Sequence, residues 1–155
     1  MLTLDVRTLR DRVGEEIAVG DWFEITQERI NQFADATGDH QWIHVDPARA
    51  ATDSPFRTTI AHGFLTLSLL STLIREAIQF TGIRMAINYG LNKVRFVSPV
   101  PAGSKVHSRG RLIGVETHPK GTQVTQEINV HVVGNDRPAL IYEMVVLYHP
   151  PMKRA

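Results

Sequence analysis

The chain contains no cysteine. Disulfide frameworks, thiolate metal centres and cysteine nucleophiles are therefore excluded, and a reducing cytoplasm is the expected compartment. An unbroken apolar run of membrane-spanning length is also missing. The most apolar stretch, from Phe64 to Ile78, is interrupted by Thr66, Ser68, Ser71, Thr72, Arg75 and Glu76. Residues Met1 to Glu16 alternate charged with apolar residues and carry no signal-peptide core. Basic runs are absent as well. The 17 Lys and Arg residues are scattered among 16 acidic ones, for a formal net charge of +1, so no nucleic-acid footprint exists. Neither a glycine-rich phosphate loop nor a Gly-x-Ser-x-Gly nucleophile elbow occurs. What is present fits one soluble intracellular domain over residues 1–155, its core spanning about 20–148, with 43% apolar residues to bury.

The order of elements is helices first and strands second. Val19 to Thr26 reads as a short extended piece anchored by Trp22 and Phe23. Thr26 is a suitable helix N-cap, Gln27 and Glu28 suit a first turn, and Ile30, Phe33, Ala34 and Thr37 keep helical spacing. Gly38 can take the left-handed position that stops such a helix. Asp46-Pro47 resembles an N-cap followed by proline in the first turn of a short helix through about Thr52. Gly63 then opens a helix that is apolar on nearly all sides through Ile78, ending near Gly82, and such a helix is expected to be buried. Beyond it the period changes to two. Strands are expected around Lys93–Phe96, Val106–Ile113, Val124–Val132 and Leu140–Tyr148, the last apolar on both faces and therefore central. Pro150-Pro151 closes the sheet and 152–155 reads as a loose tail. A curved antiparallel sheet wrapped around the long helix is the α+β arrangement that satisfies this pattern, and dimerisation would cover the apolar surface left over.

The densest polar cluster is Gly38-Asp39-His40-Gln41-Trp42-Ile43-His44-Val45-Asp46. On a non-helical loop, the carboxylate of Asp39 and the imidazole of His44 can converge on one small volume and handle protons near neutral pH. Trp42, Ile43 and Val45 could wall that volume from water. The same residues also admit a plain reading, with Asp39 capping a turn and His44 a hydrogen-bonded core residue. Gly63 at a helix start exposes backbone N–H groups that can meet an oxyanion, or it serves only close packing. Ser71 lies two turns on, where a helical serine usually bonds its own backbone. His40 and His62 read as turn or surface residues. His40, His44 and His62 invite a metal reading, but the helical zinc signature with its Glu is absent and no metal site is expected.

At these residues the chain resembles the MaoC-like, or hydratase 2, family of (R)-specific enoyl-CoA hydratases. The resemblance lies in Phe33-Ala34-Asp35-Ala36-Thr37-Gly38-Asp39-His40-Gln41-Trp42-Ile43-His44, in Ile60-Ala61-His62-Gly63 and in Phe96-Val97-Ser98-Pro99-Val100-Pro101-Ala102-Gly103. His-Gln-Trp-Ile-His and Tyr89 to Phe96 are similar to its NodN-like branch. Gln41-Trp42 stands where the family motif has Asn-Pro. The resemblance implies a hot-dog fold, a homodimer and a trans-2-enoyl thioester substrate on CoA or acyl-carrier protein. It implies Asp39 and His44 as the catalytic pair, Gly63 as donor to the thioester carbonyl with His62 beside it on the substrate side, and Ser71 as a serine supporting the Asp. The reaction it implies, hydration of an enoyl thioester or the reverse dehydration, uses no cofactor. A hot-dog thioesterase and a non-catalytic acyl-thioester binding module are the alternatives.

Overall fold

Two kinds of periodicity build the chain, and each yields its element. The computed structural model describes residues 1–75 and 77–152. Glu76 and the expected tail, apart from Met152, lie outside the described residues. In chain order the elements are β1 (Leu2–Asp5), a 3-10 helix (Val6–Arg12), β2 (Glu16–Val19), β3 (Phe23–Glu24), α1 (Gln27–Thr37), α2 (Trp42–Val45), α3 (Pro47–Asp53), α4 (Gly63–Ser68), α5 (Leu70–Arg75), β4 (Ile78–Thr81), β5 (Met85–Phe96), β6 (Lys105–His118), β7 (Gly121–Val132) and β8 (Leu140–His149).

The main sheet is antiparallel in the order β2-β6-β7-β8-β5, with β3 also paired to β6. Leu140–Tyr148 is thus an interior strand, as its two apolar faces require. Residues alternate along β6 and β7. Val106, Leu112, Val124, Ile128 and Val130 point inward and are fully buried, and they meet Leu65, Leu69, Leu70, Leu73 and Ile74 of the helical segment. Register shifts between Leu112 and Gly114 in β6, and at Asn88/Gly90 and Asn92/Arg95 in β5, mark bulges that bend the strands around the helix.

Four expectations need correction. The core begins well before residue 20, because Leu4, Val6, Leu9 and Ile17 are all buried in it. The apolar helix does not run to Ile78. It consists of α4 and α5 with a break at Leu69, where ψ is −3°. At the break the Ser68 hydroxyl donates to the Leu65 carbonyl at 2.8 Å, a side-chain bond that competes with the helical ladder and bends helices. Ile78–Thr81 is a strand, because it finds a parallel partner in β1, and Gly82 turns the chain after that strand rather than ending a helix. Nor is the helix buried all round: Phe64 is 69% exposed. The strand read at Lys93–Phe96 extends back to Met85, its alternation hidden by Gly90 and two bulges.

Candidate active site

The loop between α1 and α3 is fixed by its caps. Thr26 accepts from the Arg29 N–H at 3.2 Å and starts α1. Gly38 ends it at φ 80°, where any other residue type would be strained, and its N–H bonds the Ala34 carbonyl at 2.8 Å. Asp39 is the next residue, so its direction is set by that left-handed turn. The segment expected to be a loop contains one helical turn, α2, held by bonds from the His44 N–H to the Gln41 carbonyl and from the Asp46 N–H to the Trp42 carbonyl. Asp46 then caps α3, with Pro47 in its first turn.

That single turn carries His44 inward. His44 is 8% exposed, and its Nδ1 lies 2.7 Å from the Ile60 carbonyl. A carbonyl only accepts, so Nδ1 bears the proton and Nε2 of the neutral ring keeps its lone pair. Ile60 is itself anchored, its N–H donating to the Ile43 carbonyl at 3.1 Å, while the Ala61 N–H donates to the Val100 carbonyl at 2.8 Å. The Phe96–Gly103 segment therefore braces the site from behind. Gln27 completes the frame. Its amide donates to the His44 carbonyl at 2.7 Å and accepts from the buried Thr59 hydroxyl. Sequence reasoning assigned Gln27 only to a first turn and passed over Thr59. An amide at the start of α1 carries no local signal of a partner 17 residues away.

His62 is buried, at 2% exposure, and is neither a turn residue nor a surface one. Its Nε2 lies 3.0 Å from the Asp39 carbonyl. Its ring stacks on His44 with centroids 4.0 Å apart and planes 27° apart, and Phe33 packs against it at 4.9 Å. Asp39, His44 and His62 each offer a donor atom, and the three atoms lie within 4.8 Å of one another. The stack decides what this cluster suits. Imidazole lone pairs lie in the ring plane, so rings this close to parallel aim theirs side by side, whereas a zinc ion needs nitrogens converging at about 2.0–2.1 Å. Holding a polar molecule between a carboxylate and an imidazole is the better use of the geometry.

Other expected residues stand differently. Asp39 is exposed in the single chain, and among the described residues its carboxylate accepts only a long 3.4 Å bond from the Gln41 N–H. Trp42, expected to wall the site, is half-buried and carries the Arg49 guanidinium over its ring at 4.4 Å. His40 is exposed, pairing with Asp35 at 2.9 Å, and that carboxylate holds its imidazole above the ordinary value. Gly63 is the first residue of α4, and no side chain caps that helix start. A Cβ on Gly63 would lie 2.8 Å from the Phe96 ring, so any side chain here must displace that exposed phenylalanine. Ser71 is exposed and, among the described residues, makes no hydrogen bond to Asp39. It lines a recess with Phe64, Ser68 and Tyr89 on the β5 side, which shares no residue with the cluster. A smaller recess of about 260 Å³ also holds none of the three clustered side chains, but its walls include Ala61 and Gly63, the chain neighbours of His62. Ile60, Phe56, Phe96 and Val100 are also among its walls.

The family described as "MaoC like domain" matches residues 9–134. The chain is 54% identical over 144 residues to 3-hydroxyacyl-thioester dehydratase Z of Mycobacterium tuberculosis, covering 92% of this chain and 95% of that protein. It is 44% identical over 156 residues to Nodulation protein N of Rhizobium leguminosarum bv. viciae, covering 95% of this chain and 92% of that protein. Among solved structures, the unliganded R-hydratase PhaJ1 from Pseudomonas aeruginosa superposes with a TM-score of 0.72 at 26% identity, covering 92% of this chain and 87% of that one.

Proposed function

Because the chain belongs to the MaoC-like domain family and shares its hot-dog fold, we propose that it is an (R)-specific enoyl-CoA hydratase, or 3-hydroxyacyl-thioester dehydratase, with Asp39 and His44 as its acid–base pair. The observation that carries this is the convergence of the Asp39 carboxylate and a His44 imidazole whose Nδ1–H is already committed to Ile60. Two acceptors then face one volume. A water there donates one hydrogen to the carboxylate and the other to His44 Nε2, which leaves its lone pair free to attack.

The chemistry follows from that orientation. The water oxygen bonds to the β-carbon of a trans-2-enoyl thioester as Asp39 takes its proton. The pair returns a proton to the α-carbon from the same side, so addition is syn. Negative charge gathers on the thioester oxygen, where the Gly63 N–H donates. His62 directly precedes that donor, its buried ring packed against Phe33 and His44, and Ser71 stays the candidate for a side chain that reaches Asp39 once substrate is bound. The thioester already acidifies the α-carbon, so no metal or redox cofactor enters the step. The recess beside Ile60 and Gly63 suits the acyl chain, and the thioester arrives on CoA or acyl-carrier protein.

A second copy of the chain supplies the remaining cover. Strand β5 is a sheet edge, and along it Met85, Ile87, Tyr89 and Leu91 are exposed, next to Phe64. An unpaired edge with apolar side chains is a pairing surface, and we read a homodimer across it. No helix among the described residues is long and apolar enough to cross a membrane. We place the enzyme in the cytoplasm, where a chain without cysteine forgoes nothing.

Hydration of crotonyl-CoA, followed by loss of the enoyl absorbance and by product stereochemistry, tests the reading. Asp39→Asn and His44→Ala should each lose about 10²–10⁴-fold in kcat while still folding. Full activity in either variant refutes the assignment. Thiol release with no change in enoyl absorbance would make the protein a thioesterase instead.

A further inference from the structure

Resting on the hydratase reading and deepening it, we propose that His62 is a positioning residue that sets the place of both Asp39 and His44. Three contacts converge on it. Its Nε2 lies 3.0 Å from the Asp39 carbonyl, so Nε2 is protonated and donates. Its ring face lies against His44 at 4.0 Å. Phe33 presses on the ring from another direction at 4.9 Å. The remaining nitrogen, Nδ1, is buried and has no hydrogen-bond partner among the described residues.

An unpartnered nitrogen at a site 2% exposed is costly. A phenyl ring would fill the same space without that cost. What phenylalanine could not do is donate to the Asp39 carbonyl, and this donation is the contact that the imidazole adds. The need for it is visible at Asp39. On the preceding side the chain is held by the Gly38 cap, while among the described residues the carboxylate has only its long bond from the Gln41 N–H. His62 therefore holds the main chain of an otherwise exposed catalytic residue.

The stack does the same for His44. The Nδ1–H bond to Ile60 fixes one edge of that ring, and the face of His62 fixes its plane. Together they determine where Nε2 points. His62 also directly precedes Gly63, so one residue ties the acid–base pair to the N–H that meets the thioester oxygen. Because His62 lies behind the pair, its loss should disturb the reacting geometry and leave ground-state binding intact.

The test is steady-state hydration of crotonyl-CoA by full-length His62→Phe, His62→Gln, Asp39→Asn and the double variant Asp39→Asn/His62→Phe, each checked by thermal melting. Phenylalanine keeps the stack and removes the donor. We expect kcat to fall about 30–100-fold with KM changed less than about twofold, the scale of a misplacement near 1 Å. Glutamine can present an N–H to the Asp39 carbonyl and should return kcat to within about tenfold of the parent. With Asp39 already neutralised, the phenylalanine change should cost less than about threefold more, because residues that act through one another are not additive. Parental kcat in His62→Phe overturns the proposal. So do a rise in KM alone, or losses that multiply in the double variant. If His62→Phe does not fold, His62→Gln decides: a folded glutamine variant as slow as Asp39→Asn refutes the role, and failure of both to fold makes His62 a purely structural residue. Full activity in Asp39→Asn would instead sink the catalytic pair, and this proposal with it.

Discussion

Replacing Gln27 by leucine isolates the frame around His44 from the side chains proposed to react. The wild-type amide makes two bonds that matter. It donates to the His44 carbonyl at 2.7 Å and accepts the hydroxyl of Thr59, which is 2% exposed. Leucine fills the volume and supplies neither. The half-buried carbonyl loses a bond of about 0.5–1.5 kcal/mol, and the buried hydroxyl is stranded at about 1–3 kcal/mol, for a total of about 2–4 kcal/mol. For a domain of this size that corresponds to a fall in Tm of roughly 5–12 °C. The second substitution is the informative one. Removing both partners of a buried bond is nearly neutral, so Gln27→Leu/Thr59→Val should recover about half of the lost stability. Calorimetry of the two variants beside wild type gives the answer. Turnover of crotonyl-CoA should fall in both, by up to about 10²-fold, because the His44 main chain is released in each. A double variant that melts no higher than Gln27→Leu alone would refute the reasoning, since the stranded hydroxyl is what distinguishes them.

Two further outcomes follow from the packing and the charges. A Cβ on Gly20 would lie 2.1 Å from the Leu73 carbonyl oxygen, so Gly20→Ala must force β2 away from α5 at a cost near the upper end of about 1–3 kcal/mol. Its Tm should drop by roughly 5 °C or more, whereas Gly114→Ala, whose Cβ would sit 3.5 Å from Thr125 in ordinary contact, should move it little. A Gly20→Ala protein that melts like wild type would show that the helix and sheet are not in this close contact. On the outer sheet face, burial first, and the facing His131 second, hold the His107 imidazole below its ordinary value of 6.5. A depressed folded-state value means that the unfolded chain takes up the proton more readily. The stability from neutral His107 is therefore complete above about 6.5 and is lost as pH falls through the depressed folded value. His107→Phe retains an aromatic ring for the stack on Trp22, now at 4.0 Å, and should lose less Tm than wild type between about pH 7.5 and about pH 5.5. Equal losses would exclude His107 as a source of acid sensitivity.

Much of the site was legible because its signals are local. Thr26, Gly38, Asp46 and Pro47 punctuate the chain by their own backbone chemistry, and each sits where that chemistry places it. Fixing those ends confines Asp39 and His44 to one short segment, and the fold brings their side chains within 4.8 Å of one another. His62 was misjudged. An isolated histidine before a glycine has no local mark of burial, and it becomes a core residue only because Phe33 and His44 arrive on its ring faces. Gln27 and Thr59 were passed over for the same reason, their bond joining residues 32 positions apart.

The sequence by itself determined the α+β class, the three caps, the alternating strands β6 and β7, the doubly apolar strand β8, and the short segment that holds Asp39 and His44, because periodicity and capping act over a few residues. Only the tertiary structure decided the rest. The stretch Ile78–Thr81 could continue a helix or form a strand, and β1 at the far end of the chain settled it by offering a parallel partner. Strand β5 hid its period behind two bulges that exist only in register with β8. The proton on Nδ1 and the orientation of His44 depend on the Ile60 carbonyl and the His62 ring, and both reach it through long-range packing.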